Sequence, residues 1–280
     1  MLVDIGNTRL FCETTGNGYP LIVLHGGPGM DHGYFRPWLD ALGGRFRVMY
    51  VDQRGHGRSD PVQDADGLSV EQFAGDVSAL TAALGLERYA VMGHSFGAFV
   101  ALQHAVDRPG EATHHLIVDG VPSLRFMETV EHNLSIFEPV ELRERVAASW
   151  ARETEVETVD DLRQLLRDQL PFHFYRRGPA FEAMLAGVDG LIGAPAILRA
   201  FARRGYGPFD VENRLAEVSS PTLVIVGLHD RACSVEAARA IHQGIPRSEL
   251  VVLPESGHMT FAEEPERFRD AIYAFFDRFP

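Results

Sequence analysis

Tyr89-Ala90-Val91-Met92-Gly93-His94-Ser95-Phe96-Gly97-Ala98-Phe99-Val100 is the stretch from which the fold reads outward. An apolar run from Tyr89 to Met92 ends at a glycine. A helical pattern then opens at the serine and continues through Ala105. A Gly-x-Ser-x-Gly on its own recurs by chance. Between a buried strand and a helix it becomes specific, because small residues on both sides allow a turn tight enough to push Ser95 up and out. The start of the following helix also favours negative charge beside the serine.

The same strand-then-helix rhythm runs on either side. Leu21-Ile22-Val23-Leu24 reads as a strand ending at His25-Gly26-Gly27, and Val48-Met49-Tyr50-Val51 as one ending at Asp52. Ser69, with Gln72 three residues on, forms a capping-box pattern opening a helix towards Leu84 and Gly85. His115 to Val118 follows as a fourth strand. From about Pro122 to Pro208 no strand pattern occurs. Leu142 to Trp150 and Leu162 to Leu170 carry helical spacing there, and prolines 122, 139, 171, 179, 195 and 208 punctuate the segment. The rhythm then resumes with a strand at Thr222 to Val226, a helix from Val235 to about Gln243, a strand at Leu250 to Leu253 and a helix near Pro265 to Phe279. This order predicts a mostly parallel sheet with helices on both faces. Residues 1–121 and 209–280 form its core, and 122–208 form a helical insertion.

Composition removes several function classes. The chain has 280 residues and a formal net charge of −13, and its 26 basic residues are all arginine. So acidic a surface repels nucleic acid and anionic membranes. Without lysine there is no Walker A loop and no Schiff-base lysine. Two cysteines, Cys12 and Cys233, are too few for a disulfide framework or a zinc knuckle, so no metal is expected. The chain starts without a basic segment followed by an apolar one, and no apolar run approaches membrane-spanning length. A cytoplasmic setting is expected; oligomeric state is not legible.

A serine hydroxyl is a poor nucleophile at neutral pH and needs a base. His258, in Glu255-Ser256-Gly257-His258, follows the last strand and suits that role. An imidazole in turn needs a carboxylate to hold its tautomer. Asp230, in Val226-Gly227-Leu228-His229-Asp230, lies just past a strand end, and Asp119 is the rival acid. Ser95, Asp230 and His258 all fall beyond the carboxyl ends of strands, where ligands collect on open α/β sheets. A developing oxyanion needs N–H donors. Phe96, directly after the serine, offers one. Gly27, with Gly26 as its nearest rival, offers another from His25-Gly26-Gly27-Pro28-Gly29.

These motifs resemble the α/β-hydrolase-fold serine hydrolases, and within them the proline iminopeptidase branch. The resemblance is carried by His25 to Gly29 with Met30-Asp31-His32, by Asp52-Gln53-Arg54-Gly55-His56-Gly57-Arg58-Ser59, by the turn at Ser95 and by Gly257-His258. It implies an α/β-hydrolase fold, a helical cap formed by 122–208, and cofactor-independent hydrolysis through an acyl-enzyme on Ser95. Those aminopeptidases hold the substrate amine with acidic residues, one of which commonly follows the Val-Gly before the catalytic aspartate. Here that position is Leu228, and Phe201-Ala202-Arg203-Arg204-Gly205-Tyr206 offers no matching glutamate before Phe209. Phe35, Phe172, Phe174 and Leu228 are candidate pocket-wall residues. The insertion carries 13 acidic residues and 11 arginines, too balanced for a charged lid. The expected substrate is therefore a small, largely apolar ester, lactone or amide. The alternative is an aminopeptidase taking short peptides. A non-catalytic ligand-binding protein on this fold is a third reading, against which the complete triad argues.

Overall fold

The computed structural model describes residues 1–280. Eight strands form one sheet. They are β1 (Leu2–Asp4), β2 (Arg9–Thr15), β3 (Tyr19–Leu24), β4 (Phe46–Asp52), β5 (Ala90–His94), β6 (His114–Val118), β7 (Thr222–Gly227) and β8 (Ser248–Leu253). Their spatial order is β1-β2-β4-β3-β5-β6-β7-β8. Strands β3 to β8 pair in parallel, while β1 and β2 are antiparallel. The strand patterns from Leu21 onward thus lie in the parallel part. The two N-terminal strands have no counterpart in the sequence reading. They escape because β1 is three residues long, and β2 buries only Leu10 and Cys12.

Alternation along each strand feeds two cores. Val91, Val224 and Val226 face one side, against α1 (Val70–Ala83), α2 (Phe96–Asp107) and, further on, the helix Val235–Gly244. Ala90, Met92, Leu223 and Ile225 face the other, packed with Phe268, Ile272 and Phe275 of the C-terminal helix Pro265–Arg278. Ser69 caps α1 by accepting from the Gln72 amide at 3.3 Å, worth about 1 kcal/mol.

Between β6 and β7 the chain is helical: α3 (Thr129–Ser135), α4 (Val140–Ala151), α5 (Val159–His173), α6 (Pro179–Gly187) and α7 (Pro195–Arg203). Pro179 and Pro195 begin α6 and α7, where a missing N–H costs nothing. A capping box between Thr158 and Asp161 starts α5. No single helix is long and apolar enough to cross a membrane.

Candidate active site

The elbow begins where β5 ends. Ser95 has φ 55 and ψ −121, a positive φ that a side chain rarely adopts. Its flanking glycines are forced by the crossing of the strand with α2. A Cβ on Gly93 would lie 2.0 Å from the Gly97 carbonyl, and one on Gly97 would lie 2.2 Å from the Leu24 carbonyl. The Ser95 side chain caps nothing, and it borders a cavity of about 290 Å³ that His258 also lines.

His258 and Asp230 come from the loops after β8 and β7. His258 Nδ1 lies 2.8 Å from Asp230 Oδ2, and both side chains are buried. Only Nδ1–H can donate to a carboxylate, so Nε2 carries the lone pair that a base requires. Burial opposes protonation of this imidazole. The Asp230 charge and hydrogen bond outweigh it and raise the pKa above the ordinary histidine value. The other Asp230 oxygen accepts from the Ala232 and Cys233 amides at 2.8 and 2.9 Å. His258 also donates its backbone N–H to the His173 carbonyl at 2.7 Å. Glu263 accepts from the amides of Gly257 and Tyr175, fastening the His258 loop to the chain just past α5. Burial pushes its carboxyl up to about 7. Ser95 Oγ and His258 share no direct hydrogen bond, although both border the same cavity.

Asp119, the rival acid, is committed elsewhere. It accepts from the Gly227 amide at 3.1 Å and from the Thr260 hydroxyl at 2.6 Å. Burial and the neighbouring Asp230 charge raise its pKa well above the carboxylate range. The two oxyanion candidates from the glycine loop also separate. The Gly26 amide donates to the Tyr34 hydroxyl at 2.8 Å, whereas Gly27 has no such partner. The loop lies hard against the serine, since a Cβ on Gly26 would stand 3.0 Å from Ser95 Cβ. Phe96 is the first residue of α2, so its N–H has no acceptor within the helix.

The pocket-wall expectations need correction. Phe35, Phe172, Phe174 and Leu228 do not line the cavity. Phe35 is buried in the core between sheet and C-terminal helix. Phe172 packs on Phe137 and Trp150, and Phe174 on Phe181. Leu228 is 50% exposed. The wall is built instead by Leu162, Leu165, Met184, Leu191 and Leu198 from the helical segment. His173, between the two misplaced phenylalanines, does face the cavity, its ring centroid 5.0 Å from that of His258.

Three polar residues of the cavity had no sequence signal. Glu153 sits in the short turn Arg152–Glu155 and accepts from Gln169 at 2.7 Å and from the Tyr206 hydroxyl at 2.6 Å. Burial raises its pKa despite those two hydrogen bonds. Arg54, Arg58 and Asp60 brace the loop after β4: Arg54 grips Asp76, Arg58 covers the Phe11 ring and Asp60 holds Arg9.

Ligand atoms of Asp230, Cys233 and His258 lie within 4.8 Å of one another. The group suits a metal poorly. Burial keeps the Cys233 thiol pKa far above neutral, and Asp230 is already engaged by three donors.

The sequence profile of the alpha/beta hydrolase fold matches residues 19–265. A proline iminopeptidase from Xanthomonas citri is 30% identical, over 96% of this chain and 92% of that relative. The crystal structure of a proline iminopeptidase from Mycobacterium smegmatis is 28% identical, with a TM-score of 0.79 over 99% of this chain and 97% of its own. An enol-lactonase from Burkholderia xenovorans LB400 shares the fold at 22% identity, with a TM-score of 0.77 over 99% of this chain and all of its own.

Proposed function

The chain belongs to the alpha/beta hydrolase fold family and is a hydrolase, and from that premise we propose that it works as a serine hydrolase through an acyl-enzyme on Ser95. His258 Nε2 takes the Ser95 proton as Oγ attacks the substrate carbonyl carbon. The tetrahedral oxyanion accepts from the N–H groups of Gly27 and Phe96, each worth about 3 kcal/mol in the transition state. The imidazolium, held by Asp230, gives its proton to the leaving group. Water then repeats the sequence on the acyl-enzyme. The observation that carries this reading is the left-handed backbone of Ser95, which aims the hydroxyl at the cavity bordered by His258.

The substrate class we favour is a small, largely apolar ester, lactone or amide, and the 122–208 segment acts as the cap that encloses it. Half of the lining residues are hydrophobic, and the volume is at the small end for ligand pockets. One observation favours a second reading, an aminopeptidase of the proline iminopeptidase type. Glu153 lines the cavity with no basic partner on its carboxyl group, and an incoming ammonium would stabilise its ionised form.

Turnover of p-nitrophenyl esters and lactones, compared with turnover of a proline amide bearing a free amine, separates the two. Ester or lactone preference that survives Glu153→Gln supports the first reading. Preference for the free-amine substrate, lost in Glu153→Gln, supports the second. No turnover of any of them by folded protein, together with an unreactive Ser95, contradicts both.

A further inference from the structure

Tyr34 and His94 lie beside the triad without belonging to it. The Tyr34 hydroxyl is 2.8 Å from the Gly26 nitrogen and 2.7 Å from His94 Nδ1, and His94 Nε2 is 2.8 Å from the His258 carbonyl oxygen. Every direction in this chain is forced. A carbonyl only accepts, so His94 carries its proton on Nε2. Burial, reinforced by the neighbouring His258, keeps the pKa of His94 well below the ordinary value, so the ring is neutral and its Nδ1 is an acceptor. Tyr34 must therefore donate its one proton to His94, and its oxygen is left to accept from Gly26.

The sheet alone does not fix what this chain joins. The glycine loop follows β3, His94 ends β5 and the base loop follows β8. Strands β3 and β5 are neighbours, but β6 and β7 separate β5 from β8. Hydrogen bonding between strands gives the base loop no direct register with the glycine loop. The His94 ring also packs against the His258 ring, 4.9 Å between centroids and tilted by 49°, and meets Phe261 edge-on at 5.2 Å.

We propose that Tyr34 and His94 are positioning residues for hydrolysis: their one-way chain from the Gly26 amide to the His258 carbonyl holds the glycine loop and the base in register around Ser95. It turns the Gly26 amide away from the oxyanion, leaving Gly27 as the donor from that loop, and it pins the backbone of the base. The inference rests on the serine-hydrolase reading above.

Inactivation by a fluorophosphonate tests it without knowledge of the natural substrate. Tyr34→Phe and His94→Leu should each lower the maximal inactivation rate by about 10- to 100-fold, while the inhibitor's half-saturation concentration changes by less than about threefold. Because the two act in one chain, the double variant should be no slower than the slower single one. His94→Gln should recover part of the loss, since a carboxamide can accept from Tyr34 and donate to His258. Nitrogen NMR of the wild type should find His94 as the neutral Nε2–H tautomer. Wild-type rates in both single variants, losses that multiply, a change confined to half-saturation, or an Nδ1–H tautomer would each overturn the chain. Should His94→Leu fail to fold, Tyr34→Phe, which removes one oxygen atom, still decides. A wild type that folds but leaves Ser95 unlabelled overturns the serine reading, and the positioning role falls with it.

Discussion

Asp230 Oδ2 and His258 Nδ1 stand 2.8 Å apart, bringing together two loops 28 residues distant in the chain. The contact does two things at once. It selects the tautomer that leaves Nε2 free, and it lifts the imidazole pKa above the ordinary histidine value against the effect of burial.

Activity should therefore fall on the acid side of a pKa higher than that of a free histidine, because protonated His258 cannot accept the Ser95 proton. In Asp230→Asn that limb should move to lower pH, since burial then acts on the imidazole without the carboxylate. The maximal rate should drop by about 10³- to 10⁴-fold. A pH–rate profile of the two proteins checks this. An unmoved limb would mean that another group sets it.

Gly97→Ala should destabilise the fold through backbone that has nowhere to go. The new Cβ would sit 2.2 Å from the Leu24 carbonyl oxygen. Overpacking of this kind costs about 1–3 kcal/mol or more. Thermal unfolding should show Tm lowered by about 2–4 °C per kcal/mol. An unchanged Tm would show that α2 can tilt away from β3.

Buried histidines should make the protein acid-sensitive. Burial lowers the pKa of His56 to about 3 and of His104 to about 4. The unfolded chain takes up these protons near pH 6.5 while the folded one resists. Their contribution is complete above that pH and is lost as pH falls towards the folded values, by about 1.4 kcal/mol per pH unit for each residue. Denaturant titrations should show this slope, and His104→Leu should flatten it by one histidine's share. An equal slope in that variant would assign the acid sensitivity elsewhere.

Leu162 is fully buried in α5 and lines the cavity. Leu162→Ala should lengthen the space available to an acyl chain. The preference for the longer of two esters differing by two methylenes should rise about tenfold. Specificity constants across an ester series measure it. An unaltered length preference would put the acyl group against another wall.

The parts legible in the sequence were those that depend on local order. Ser95 could be found because a strand, a glycine pair and a helix start surround it within a dozen residues. Asp230 lies three residues past the fully buried β7, and His258 five residues past the half-buried β8. The pocket was not legible, because which way a helical side chain points is decided by what packs on it. In Phe172-His173-Phe174 the aromatic rings looked like wall material, yet Trp150 and Phe137 claim Phe172, Phe181 claims Phe174, and His173 faces the cavity. Glu153 had no local signal, since its partners are 16 and 53 residues away. Strand β2 carries no apolar run to read, because only Leu10 and Cys12 of its seven residues are buried.

Mass spectrometry of the intact protein and its peptides after brief fluorophosphonate treatment tests the central claim most directly. The account predicts one adduct per chain, on the peptide containing Ser95, and none in Ser95→Ala. Folded wild-type protein that stays unmodified, or that carries its adduct on a different residue, would contradict it.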